Sequence, residues 1–142
     1  MGINGGANVQ TIVWDESLSV GVAKMDAQHQ IWIERFNKVM EAVSERRGAT
    51  EISKTLGFLV DYTEEHFGLE EARMAETAYP DVDAHKDRHN EIRLTLDGIV
   101  EDFREDGPTE ELAGDVETFL GNWLIKHIRE VDMKLGAFLA AQ

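Results

Sequence analysis

The sequence predicts an all-α protein, an up-down-up-down antiparallel four-helix bundle with an irregular N-terminal arm. Three observations lead there. Four stretches, each of roughly twenty residues, place apolar side chains at steps of three and four, the period of one helix face. Both prolines fall outside those stretches, and glycines gather at the start and at the breaks. The connections are short, which makes consecutive helices antiparallel neighbours.

Residues 1–22 form the arm. It opens on a flexible Gly/Asn tip, MGINGG, shows no sustained period, and offers Trp14 as its anchor on the bundle. The bundle domain is expected over 23–142. From about Met25 the spacing becomes helical through His29, Trp32, Phe36, Val39 and Val43. It stops near ERRGAT, where Gly48 suits the left-handed position that closes a helix. Thr50 is expected to cap the second helix, whose inner face reads Ile52, Leu56, Leu59, Thr63, His66 and Glu70 before AYPD ends it. The third helix begins near Asp83 and carries His85, His89, Ile92, Leu96, Ile99 and Phe103 inward, up to EDGP. The fourth runs from about Thr109 through Leu112, Val116, Phe119, Trp123 and His127 towards Leu135.

At 142 residues the chain suits one domain able to bury a sizeable core. It has no Cys, which excludes disulfides, thiolate metal sites and cysteine nucleophiles. The formal charge of −14, from 28 acidic and 14 basic residues, is spread along the chain without a basic patch, so neither nucleic acid nor an anionic membrane is expected as a partner. No apolar run approaches the ~18 residues of a membrane span and no secretory leader is evident, so membrane insertion is not expected and a cytoplasmic protein is.

The five histidines, His29, His66, His85, His89 and His127, all lie on inward stripes, leaving none for the surface. Any one alone reads as a core histidine hydrogen-bonded to a neighbour. Five together are costly, because every buried ring needs partners for both nitrogens. A metal would satisfy all of them at once. His85 and His89 are four apart, so their rings share a face, and Glu70 follows His66 at the same step. Antiparallel packing brings all five histidines to one end of the bundle. Asp132, five residues after His127, is harder to place. That step turns about 140° on a regular helix, so it needs a π-bulge or a frayed last turn to point inward; the alternative is a solvated charge. Glu71, about 100° round from Glu70, is expected to be a surface charge. Imidazole and carboxylate ligands fit iron, copper or zinc better than calcium or magnesium.

DAQH at His29, HFGLEE at His66 and Glu70, YPDVDAHKDRH at His85 and His89, and WLIKHIREVD at His127 and Asp132 appear in sequence order. With these pieces the chain resembles the bacterial hemerythrins over nearly its whole length. The resemblance implies two iron ions with a bridging oxo or hydroxo group. One would be held by His85, His89 and His127 and the other by His29 and His66, with Glu70 and Asp132 bridging. It further implies reversible O₂ binding at the iron with fewer histidines, in a pocket walled by Phe67, Trp123, Leu124 and Ile128. Those four are also ordinary core positions. The family commonly has a Tyr three residues after the last Asp, where this chain has Leu135; Tyr62, one turn before His66, is the candidate to supply a phenol near the site, the alternative being that it packs or points outward.

The expected function is therefore reversible O₂ binding for carriage, storage or local delivery, without catalysis. The alternatives are an oxygen- or redox-sensing module acting with a separate partner, and a di-iron oxidase or peroxidase. The partner would be an oxygen-consuming enzyme or a signalling protein. An oxidase is disfavoured because the core offers two carboxylates where ferritin-like bundles carry about four.

Overall fold

The structure, a computed structural model, describes residues 11–142 apart from the Phe119 side chain; the Gly/Asn tip expected for the arm lies outside the described residues. A 3-10 turn (Glu16–Leu18) precedes four helices: α1 (Ala23–Ser44), α2 (Ala49–Glu76), α3 (Val82–Asp106) and α4 over 110–140. The last is composite. Its α-helical pieces Glu110–Asp115, Asn122–Lys126 and Met133–Ala140 are separated by π-helical turns at Val116–Gly121 and His127–Asp132. There is no strand among the described residues, and none of their helices is long and apolar enough to cross a membrane. The four-helix bundle is the fold that the periodicity predicts.

The inward stripes meet as expected. Phe36, Ile52, Leu59, Ile92, Leu96 and Val116 are all buried in one core. Two helix ends depart from expectation. At the end of α1 the left-handed residue is Arg46 (φ 54°), while Gly48 has φ −52° and sits ahead of α2. Arg46 N–H donates to the Val43 carbonyl and Arg47 N–H to that of Ala42, the paired bonds of a Schellman closure. Thr50 is not a cap. The Gly48 carbonyl already accepts from the amides of Glu51 and Ile52, so the α2 ladder starts before Thr50 and no side chain caps it. The end of α2 repeats the closure on Ala78 (φ 54°), with Tyr79 N–H donating to the Met74 carbonyl. Gly107 (φ 75°) stops α3, and the Thr109 hydroxyl caps α4 by accepting from Leu112 N–H at 3.0 Å.

The described part of the arm is tied to the bundle at several points. Ile12 exchanges two 2.8 Å hydrogen bonds with the Asn37 side chain. Leu18 and Val20 are buried, and half-buried Trp14 packs against the core. Asp26, in the first turn of α1, accepts from Val20 N–H at 2.8 Å and from the Ser19 hydroxyl at 2.6 Å. Val20 lies against Gly136 of α4, where a Cβ would stand 2.1 Å from the Val20 carbonyl oxygen. The stretch around Val20 therefore packs at the end of the bundle at which α1 begins and α4 finishes, the end that carries the histidines, while Ile12 lies further along α1.

Candidate metal centre

His29 comes from the first turns of α1, His66 and Glu70 from the last turns of α2, His85 and His89 from the start of α3, and His127 and Asp132 from the second π turn of α4. All seven are buried, none more than 3% exposed. Their ligand atoms form two overlapping groups. Glu70, His85, His89, His127 and Asp132 make one, and His29, His66, Glu70 and Asp132 the other; within each, the atoms lie within 4.8 Å of one another. Three histidines belong to the first group and two to the second, with both carboxylates shared.

The carboxylates face both groups, one oxygen to each. Glu70 Oε1 is 2.9 Å from the Nε2 atoms of both His85 and His89, while its Oε2 is 3.1 Å from His66 Nε2. Asp132 Oδ1 is 3.2 Å from His85 Nε2 and 3.1 Å from His127 Nε2, and its Oδ2 is 2.9 Å from His29 Nε2. Separations of about 3 Å are the edges of a coordination polyhedron with bonds of about 2.1 Å. Among the described residues, every buried side-chain N or O without a hydrogen-bond partner belongs to this cluster, Trp14 Nε1 excepted. Each such atom costs about 1–3 kcal/mol if nothing satisfies it. Cations held between the two groups would satisfy the inward-facing ones, so the donor set fits a pair of metal ions with N/O preference.

The electrostatics agree. Burial pulls His29 down, but hydrogen bonding to Asp132 and Glu70 outweighs it and pushes the imidazole up to about 9 in the metal-free chain. Burial also opposes the charged form of His85, which the same two carboxylates likewise push up to about 9. Burial wins at His127 and lowers it. Glu70 and Asp132 are held well below the carboxylate range despite their burial, chiefly by the surrounding histidines. Two ionised carboxylates among imidazoles form a cation site, occupied by protons when metal is absent.

Outer partners fix two of the rings. Gln28 Oε1 accepts from His66 Nδ1 at 2.8 Å, and Glu71 Oε2 from His89 Nδ1 at 2.8 Å, leaving each Nε2 turned inward. Glu71 is thus not the surface charge expected from its angle on α2. It sits at the α2–α3 boundary and its side chain reaches across to His89, while Arg93 holds the same oxygen at 3.3 Å. Arg93 also lies over the Phe67 ring at 5.1 Å. Periodicity does not single out Gln28 or Arg93. The one signal for Gln28 is its place next to His29; Arg93 lies one turn beyond His89.

Of the four expected wall residues, Phe67 stacks on His89 (centroids 3.8 Å apart) and Trp123 on His127 (4.4 Å), while Leu124 and Ile128 are fully buried. Trp123, expected inward, is half-buried. Trp32 is the more central ring, edge-on to Phe67 and Trp123 and 4.9 Å from His66. Its indole N–H donates to the Thr63 hydroxyl at 2.9 Å, which itself donates to the Leu59 carbonyl. Tyr62 lies parallel to His66 at 6.4 Å, and Leu135 is buried.

Residues 20–139 match the family model described as hemerythrin HHE cation binding domain. The bacteriohemerythrin of Methylococcus capsulatus (strain ATCC 33009 / NCIMB 11132 / Bath) is 33% identical over 123 residues, 87% of this chain and 90% of that protein. That of Stenotrophomonas maltophilia (strain R551-3) is 31% identical over 121 residues, 85% of this chain and 76% of the relative. A wild-type hemerythrin crystal structure superposes with a TM-score of 0.78 at 26% identity, covering 89% of this chain and 95% of that one.

Proposed function

Because the chain belongs to the hemerythrin family, we propose that it is a non-haem di-iron protein that binds O₂ reversibly, for carriage, storage or local delivery to an oxygen-consuming partner. The observation that carries this reading is the pair of buried carboxylates, each presenting one oxygen to a three-histidine group and the other to a two-histidine group. His85, His89 and His127 would hold one iron, His29 and His66 the other, with Glu70 and Asp132 between them. Two irons with an oxo or hydroxo group between them would supply the redox chemistry on which reversible O₂ binding depends.

The chain's own contribution is positioning and exclusion of water. Gln28 and Glu71 hold His66 and His89 with Nε2 inward. Trp32, Phe67, Trp123, Leu124 and Ile128 wall the centre with apolar surface. The hydroxyl nearest Trp32, that of Thr63, is committed to the Leu59 carbonyl and has no proton to give. With no acid or free hydroxyl in the wall to deliver protons, reversible binding is favoured over O₂ reduction.

The test is metal analysis with optical spectra through cycles of deoxygenation and air. Two irons per chain and an absorption band that appears in air and vanishes on deoxygenation are expected. A single irreversible oxidation accompanied by product release would overturn carriage. Glu70→Ala should lose most of the metal, and retention of two irons would refute its bridging role.

A further inference from the structure

The outer nitrogens of His66 and His89 meet acceptors of different charge. Gln28, a neutral amide, accepts from His66 Nδ1 at 2.8 Å on the side of the two-histidine group. Glu71, a carboxylate ionised at neutral pH, accepts from His89 Nδ1 at 2.8 Å on the side of the three-histidine group. We infer that Glu71 makes the three-histidine position the more electron-rich of the two, and so the first to be oxidised, and that Arg93 limits the difference. The inference rests on the proposed reading that both rings hold metal through Nε2.

An ionised acceptor strengthens the hydrogen bond of a ring N–H and raises the basicity of the opposite nitrogen. Through His89, Glu71 therefore favours the higher oxidation state of whatever Nε2 holds. Its neighbours do not cancel its charge. Arg93 lies 3.3 Å from Glu71 Oε2, but its Nε donates to Glu64 at 3.0 and 3.1 Å, so two carboxylates share one guanidinium and one negative charge remains. The Glu71 and Arg93 side chains are only 22% and 25% exposed, so water and salt screen them weakly. Arg93 is also fixed beside the ligand, 5.1 Å from the centroid of the Phe67 ring that stacks on His89.

No other charge near the centre reproduces this difference. Glu70 is shared by both groups. In the hollow that Gln28 lines, Lys24 and Arg73 outnumber Glu76, and Arg35 and Glu65, which flank Tyr62 beside His66, are of opposite sign. The groove between the start of α3 and the end of α4, lined by His85, His127 and Trp123, holds three acidic and three basic side chains. Glu71 is the charge that tells the two positions apart.

The experiment loads the full chain with iron, measures the iron content, and follows the optical spectrum through oxidation at controlled potential. Two one-electron steps are expected. Glu71→Gln keeps an acceptor for His89 Nδ1 while removing the charge; it should make the first oxidation about tenfold less favourable, about 59 mV for one electron, and move the second step less. Arg93→Gln should shift the first step the opposite way, and Gln28→Glu, which gives both rings charged acceptors, should narrow the gap. In the zinc-loaded chain, where the ion cannot be oxidised, the His89 Nδ1–H proton resonance should lie downfield of that of His66 and move upfield in Glu71→Gln. A single two-electron step in the parent overturns the inference, as does a Glu71→Gln chain whose steps stay in place or move equally. Arg93→Gln leaves the bond between Glu71 and His89 intact, so an unmoved first step there overturns it even where Glu71→Gln fails to hold iron. A parent chain with fewer than two irons would overturn the metal reading instead, a distinguishable failure.

Discussion

Gly136→Ala is expected to be among the most disruptive one-carbon changes available in this protein. A Cβ at position 136 would lie 2.1 Å from the Val20 carbonyl oxygen, 2.8 Å from Val20 Cβ and 3.0 Å from its carbonyl carbon. Ordinary contacts lie at roughly 3.5–4.0 Å, so the Val20 backbone must retreat by about 1 Å or more. It cannot do so freely, because Val20 N–H and the Ser19 hydroxyl are both bonded to Asp26. If the segment adjusts in place, the cost is that of overpacking, about 1–3 kcal/mol. If it lifts off, the buried side chains of Leu18 and Val20 are exposed, at about 1.5–3 kcal/mol each. For a chain of this size 1 kcal/mol corresponds to about 2–4 °C in Tm, so adjustment in place should lower the Tm of the metal-free protein by roughly 2–12 °C, and lift-off by more. Limited proteolysis should cut faster within residues 11–22, and the metal-loaded protein should lose metal to a chelator sooner, since Val20 packs at the end that carries the histidines. Gly98→Ala is the control: its Cβ meets nothing within 4 Å, and as a mid-helix change it should stabilise by about 0.5–1 kcal/mol. A Gly136→Ala protein with Tm within 1 °C of the parent and unchanged cleavage would refute the close packing of Val20 on α4.

Ala78→Gly should raise stability by about 0.5–1 kcal/mol, since Ala78 closes α2 in the left-handed region at φ 54°; thermal unfolding of the metal-free chain reads it, and a loss of stability would contradict the strain. Glu71→Ala leaves His89 Nδ1 without its acceptor and should weaken metal binding about 10–100-fold in a chelator competition. Equal affinity would mean that Glu71 does not orient the ring. The metal-free chain should also lose stability with alkali. His29 and His85 are raised to about 9 from 6.5, so the stability they contribute is complete below pH 6.5 and is lost as pH rises to about 9. Denaturant midpoints measured across that window should fall, and by less in His29→Gln; a flat profile would show that the carboxylates do not hold these protons.

Periodicity made the bundle and its metal end legible, because burial imposes the same three-four step whether the inward residue is leucine or histidine. Helix ends were less legible. Gly48 was the natural choice for a left-handed closure, yet the Schellman bonds of α1 fall on Arg46, three residues after Val43. Where a helix stops is decided by which carbonyls find amides, and a side chain tolerates φ 54° when those bonds form. Gln28 goes unsignalled, and Glu71 reads as a surface charge, for a different reason. Each lies one residue from an inward ligand, about 100° away, where a helical wheel predicts solvent. Whether such a side chain meets water or the next helix depends on how neighbouring helices are rotated, which no single helix encodes.

The fourth helix shows how site geometry and helix regularity conflict, and which prevails. On a regular helix His127 and Asp132 diverge by about 140°, yet both are buried and 3.1 Å apart. The π turn over His127–Asp132 resolves this, since its i→i+5 closure brings the fifth residue back over the first. An extra residue in a turn also shifts everything beyond it around the axis. The first π turn, Val116–Gly121, has that effect: a stripe continued regularly from Leu112 and Val116 would carry Trp123 inward, whereas Leu120 and Leu124 take the buried positions and Trp123 turns half out towards the groove. Gly121 closes that turn where a Cβ would stand 2.9 Å from the Phe36 ring, so the displaced segment packs tightly against α1. The irregularities thus serve separate ends. The second turn places a carboxylate between the two histidine groups, and the first sets an indole over the outer face of His127, at the boundary between the buried centre and the groove.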